Sequence, residues 1–142
     1  MEKVFVDTDI VLDLLSNREP FYSHSAQLFS EADKGKIRIH VSSLTFSNLN
    51  YILSRQYSVD QARKKLLKFK TLVTVLSVTD KIVELALSSD FKDFEDGLQY
   101  FTAIENNLKT LLTRNLKDYK TADITVMTAE QFLKGKKKYA SQ

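Results

Sequence analysis

Five short apolar segments, rich in β-branched residues and separated mostly by stretches of helical period, restrict the topology of this chain more than any other feature. They are "KVFVD" (Lys3–Asp7), "IRIHV" (Ile37–Val41), "VTVLSV" (Val73–Val78), "KTLLT" (Lys109–Thr113) and "DITVMT" (Asp123–Thr128). Strands that alternate with helices pair in parallel, and the crossover helices cover both faces of the sheet. The expected fold is therefore a three-layer α/β/α sandwich around a central parallel sheet. At 142 residues the chain fits one domain with a sizeable core.

With one proline and three glycines, polar caps must mark most boundaries. "TDIVLDLLS" spaces Ile10, Val11, Leu14 and Leu15 as a helix does, and Asn17–Pro20 breaks it. "PFYSHSAQLFSEADKGK" predicts a helix that stops at Gly35. Ser42 or Ser43 caps "LTFSNLNYILSRQ", Ser58 or Asp60 caps "DQARKKLLKFKTL", and Thr79 or Asp80 starts "KIVELALSS". "DFEDGLQYFTAIENN" enters a helix through acids that suit its positive end. "RNLKDYK" reads as a loop and "AEQFLKG" as a closing helical turn.

Composition removes several chemistries. Without cysteine there are no disulfides, thiolate nucleophiles or cysteine zinc sites, which fits a reducing cytoplasm. Charged residues interrupt every apolar run, so no membrane span is expected, and the N-terminus shows no signal-peptide pattern. Lys134, Lys136, Lys137 and Lys138 crowd into "KGKKK"; without those four the net charge falls from +3 to −1. The domain is thus expected over 1–133, with a basic, flexible tail over 134–142. No P-loop, G-x-G-x-x-G or G-x-S-x-G element is present, and His24 and His40 are read as surface or strand-face residues.

The acids are less ordinary. Asp7, Asp9 and Asp13 interrupt an apolar run, and a buried carboxylate needs a partner, a wet cleft or a cation. Ligands of open parallel sheets bind outside the carboxyl ends of the strands. That rule gathers Asp7 after the first strand and Thr113, Asn115 and Asp118 at and beyond the fourth. It adds Asp93, Glu95 and Asp96 at the start of the preceding helix, and Asn48 on the helix after the second strand. Such an oxygen-only set suits Mg²⁺ or Mn²⁺. Each residue also has a plainer role: Asp9 as a helix cap, Asp13 as a solvent-facing position, Asp93 or Glu95 as dipole-favoured acids, Asp118 in a turn, Asn48 as a buried amide.

In order and spacing, "VFVDTDIVLDLLSNREPF", "VSSLTFSNLNYILSR", "DFEDGLQYFTAIENN", "LLTRNLKDY" and "TAEQFL" resemble the PIN-domain family, especially toxin ribonucleases of VapC type. The resemblance spans about Lys3 to Leu133. It implies a metal-dependent ribonuclease acting on RNA, a homodimer, and a cognate antitoxin. By position it makes Asp7, Asp96, Asp118 and Asn115 catalytic, the three aspartates metal ligands, and Asp9, Asn48, Thr113 and Glu95 supporting or substrate-positioning residues. Asn48 stands where many members carry glutamate, and Asp9 where asparagine is usual. Two alternatives stay open: a haloacid-dehalogenase-like phosphatase with Asp7 as nucleophile, and a nucleic-acid-binding module that kept the fold and lost part of the site.

Overall fold

The computed structural model describes residues 1–120 and 122–140. Strand β1 (Glu2–Val6) is followed by helices α1 (Thr8–Leu15) and α2 (Tyr22–Asp33). Then come β2 (Ile37–Ser42), α3 (Ser43–Gln56), α4 (Val59–Lys70), β3 (Thr74–Leu76), α5 (Asp80–Leu87) and α6 (Phe94–Glu105). The chain closes with β4 (Thr110–Leu112), a 3₁₀ turn (Leu116–Tyr119), β5 (Thr125–Met127) and α7 (Ala129–Ala140). The sheet order is β3-β2-β1-β4-β5, with all four pairings parallel. This is the α/β/α sandwich that the alternation predicts.

Side-chain alternation along the central strands divides the core between the two faces. Val4 and Val6 of β1, Ile37, Ile39 and Val41 of β2, and Leu112 of β4 pack with α1, α2, α3, α4 and α7. Phe5 and Leu111 point the other way, against Tyr100, Ala103 and Tyr119. A fully buried side chain of this size contributes about 1.5–3 kcal/mol, so strand register is set by many such residues at once. Gly97 of α6 allows a close helix approach, since a Cβ there would stand 3.3 Å from Ala86 Cβ of α5.

The caps fall where expected. Ser42, Ser58 and Thr79 each accept a backbone N–H of their helix's first turn, and Asp93, expected as a dipole-favoured acid, caps α6 in the same way. Gly35, at φ +76°, ends α2; Lys36 N–H reaches Glu31 O and Gly35 N–H reaches Ala32 O, satisfying two of the helix's last carbonyls. At α1 the cap is Asp7, whose carboxylate accepts from Thr8 N–H, and Asp9 lies inside the first turn. The "RNLKDYK" loop contains a 3₁₀ turn whose Tyr119 is buried. Helix α7 continues through Gly135 to Ala140, longer than the single closing turn expected. Ser141 and Gln142, the end of the expected tail, lie outside the described residues. Among the described residues no helix is long and apolar enough to cross a membrane.

Candidate active site

After β1 the chain runs outward through β2 and β3, then returns to place β4 on β1's other edge. The strand order therefore reverses between β1 and β4, which is where open α/β sheets bind ligands. Asp7 N–H donates to Leu112 O at 2.9 Å, extending the pairing one residue past β1. Its side chain is thereby fixed at the mouth of that crevice.

Four donors hold the Asp7 carboxylate. Thr8 N–H (2.8 Å) and Gln99 Nε2 (3.3 Å) reach Oδ1, while the Thr113 and Tyr119 hydroxyls reach Oδ2, both at 3.0 Å. Burial pushes the Asp7 carboxyl above its ordinary value, and these donors oppose the shift. Burial and the charges of Asp7 and Asp96 push the Tyr119 hydroxyl up as well, so it stays protonated and donates. Asp9 Oδ2 accepts from Arg114 N–H (3.0 Å), Asn115 Nδ2 (3.2 Å) and Thr113 Oγ1 (3.3 Å). Its other oxygen is buried without a partner among the described residues. Burial, and then the charge of Asp7, raise Asp9 to about 6.

A cleft of about 600 Å³ opens at this point. Asp7, Asp9, Glu95 and Asp96 supply its carboxylates, Asn48, Gln99 and Asn115 its amides, and among the described residues no lysine or arginine lines it. Asp96 is pushed up to about 7 by burial and then by Asp93, Asp7, Asp118 and Glu95, all negative. Asp118 lines an adjoining depression with Lys92, Asp93, Lys117 and Lys120, and Asp96 borders both. Of the eight residues singled out from the sequence, seven are gathered here, six lining the cleft and Thr113 bonding Asp7 and Asp9, while the eighth, Asp118, stands next door. His24 and His40 line neither; His40 is buried on β2, and burial lowers its pKa.

Two expectations need correction. Asp13 faces the interior, fully buried, because Arg114 pairs with it through Nε at 2.7 Å. Asp9 does not cap α1, since Asp7 takes that position. The sequence reading also missed Gln99, whose amide donates to Asp7, Thr8 Oγ1 (3.2 Å) and Thr45 Oγ1 (3.0 Å) and accepts from the Ser42 hydroxyl. Gln99 stands three residues after Asp96, on the same helix face; that spacing was a usable signal. Tyr119 offered none, because an aromatic in a polar loop does not announce its partner.

The donor set fits a hard divalent cation. It is all oxygen and amide, its negative charge has no cationic partner in the lining, and Asp9 keeps one unpaired oxygen. Among the described residues no three acids or histidines stand at ligand spacing. Mg²⁺ tolerates this, since it is commonly held by one or two carboxylates and keeps several waters.

A family model for the PIN domain matches residues 3–117. This chain belongs to the PIN-domain family. Ribonuclease VapC1 of Aquifex aeolicus is 32% identical to it over 139 residues, covering 92% of this chain and 93% of that protein. Among solved structures, VapBC2 of Rickettsia felis bound to a promoter DNA fragment matches with a TM-score of 0.67 at 20% identity, over 88% of this chain and 96% of that one. A toxin–antitoxin complex from Klebsiella pneumoniae matches with a TM-score of 0.67 at 22% identity, over 89% and 97%. These structures carry the same fold.

Proposed function

We propose that this chain is a divalent-metal-dependent ribonuclease and the toxin of a toxin–antitoxin pair. The observation that carries it is the cleft at the β1/β4 reversal, where Asp7, Asp9, Glu95 and Asp96 meet and no lysine or arginine among the described residues joins the lining. The relative at 32% identity bears the name of a ribonuclease, which supports the same reading.

Asp7, with Asp9 or Asp96 beside it, would hold Mg²⁺ or Mn²⁺ through one or two carboxylates and waters, with Asp118 one depression away. The bound ion would supply an activated water and charge neutralisation at the scissile phosphate. The protein contributes orientation. Thr113, Tyr119 and Gln99 fix the Asp7 carboxylate, and the Arg114 N–H and Asn115 amide fix Asp9. A rigid acidic floor of this kind holds its geometry when substrate enters. Neighbours solved as toxin–antitoxin complexes support a cognate antitoxin as partner, and a homodimer and cytoplasmic location belong to the same reading. The phosphatase alternative needs a lysine beside its nucleophilic aspartate, and none among the described residues lines the cleft.

Purified protein incubated with total RNA should cleave it in Mg²⁺ or Mn²⁺ and stop in chelator. Cleavage that ignores chelator, or none with any metal, would overturn the proposal. RNA binding without cleavage and without tight Mg²⁺ or Mn²⁺ binding would favour the binding-module alternative.

A further inference from the structure

The cleft is not acidic throughout. Its floor carries the carboxylates, but one wall is the face of α3 formed by Leu44, Asn48, Tyr51 and Ile52. These positions follow helical spacing, so they form one stripe. Tyr51 is 60% exposed, an uncommon position for a large aromatic beside a charged floor. The Arg55 guanidinium lies over its ring, 4.4 Å from the centroid. The Asn48 amide lines the cleft on the same face. An acidic floor repels phosphates wherever no cation bridges them. A polynucleotide strand is therefore best received along this wall by its bases.

We propose that the α3 wall is a nucleobase subsite for single-stranded RNA. An unpaired base beside the scissile phosphate stacks on Tyr51, and the Asn48 amide, donor and acceptor together, reads its edge. Aromatic rings with a neighbouring arginine form sequence-tolerant stacking platforms for single strands, and amides pair with base edges. Arg55 steadies the ring and places a positive charge at the rim, where the next phosphate would lie. A base locked in a duplex cannot present its face, so the subsite selects unpaired RNA. This deepens the ribonuclease reading and rests on it for the identity of the polymer.

The probe is a short single-stranded RNA carrying one 2-aminopurine, titrated in Mg²⁺ before turnover and again in chelator. Wild type should quench the fluorophore. Tyr51→Phe should bind as wild type does, and Tyr51→Ala should lose at least about fivefold in affinity together with the quenching. Tyr57→Ala, which removes an exposed ring that does not line the cleft, serves as the control. Binding of a blunt RNA duplex should not change in Tyr51→Ala. If wild type fails to bind the single strand, or Tyr51→Ala binds and quenches like wild type, the subsite does not exist. Cleavage assayed in parallel separates the two readings. Tyr51-dependent binding without cleavage in any metal sinks the ribonuclease and spares the subsite; cleavage indifferent to Tyr51 does the reverse.

Discussion

Arg114 grips Asp13 with two hydrogen bonds, Nε to Oδ2 at 2.7 Å and Nη2 to Oδ1 at 3.2 Å, while its guanidinium lies 4.2 Å above the Phe21 ring. The backbone N–H of the same arginine donates to Asp9. The pair therefore ties α1 to the segment after β4 and fixes the groups that orient Asp9. Removing one partner strands the other's charge. Arg114→Ala leaves a buried carboxylate and should cost about 2–4 kcal/mol, the reduced range reflecting an arginine that is itself 27% exposed. The double variant Asp13→Leu/Arg114→Met should recover most of that loss while metal-dependent activity stays low. Urea denaturation together with an RNA cleavage assay checks both. A single Arg114→Ala variant as stable and active as wild type would show that the clamp orients nothing.

Asp96 provides a sign that a purely structural acid would not. Asp96 is raised to about 7 and Asp9 to about 6, against an unfolded value near 3.9. Between about pH 4 and 7 the folded state thus holds protons that the unfolded state has released. The contribution of these groups to stability is greatest below that window and declines as pH rises through it. In chelator, Asp96→Asn should melt higher than wild type at pH 8, with the advantage shrinking toward pH 5. It should also lose the stabilisation that Mn²⁺ confers on wild type. Thermal melts at the two pH values decide this; a lower Tm in chelator at pH 8, with the Mn²⁺ shift intact, contradicts a shared acidic site.

What could be read in advance follows from the range of the forces concerned. Strand and helix existence rests on local periodicity, so all five strands and the caps at Ser42, Ser58 and Thr79 were legible. The switch-point rule then gathered Asp7, Asp96 and Asn115 without any contact being known. Asp13 was misread because its partner lies 101 residues away. Nothing local distinguishes a carboxylate that will find an arginine from one that faces water. Tyr119 escaped for the same reason, being defined by a bond to Asp7 across the fold, whereas Gln99, three residues after Asp96, had a local signal that went unused.

Gln99 joins Asp7, Thr8 and Thr45 through one amide nitrogen, and its oxygen takes the Ser42 hydroxyl. Gln99→Met keeps the approximate volume and strips every one of these bonds, which should cost about 1–3 kcal/mol. Gln99→Glu keeps an acceptor for Ser42 but sets a further carboxylate against Asp7. Above pH 7 it should be the less stable of the two, and Mn²⁺ should narrow the gap. Equal stability of the two variants at pH 8 in chelator would mean that Gln99 does not feel the charge of Asp7.

Asn48 lines the cleft beside four carboxylates but carries no charge. Asn48→Glu would add a fifth. In chelator the added repulsion should lower stability by about 1 kcal/mol, since the position is only partly shielded from solvent. With Mn²⁺ the order should invert, because another anionic oxygen strengthens a hard-ion site, by roughly tenfold in affinity. The same change removes the amide's donor. Selectivity among bases should fall, while stacking on Tyr51 keeps single-strand affinity within a few-fold. Mn²⁺ titration followed by thermal shift measures the first effect, and cleavage-site mapping on a defined single strand measures the second. An unchanged Mn²⁺ response in a well-folded Asn48→Glu protein would place this position away from the ion. Unchanged base preference would remove Asn48 from the subsite and leave Tyr51 to account for it alone.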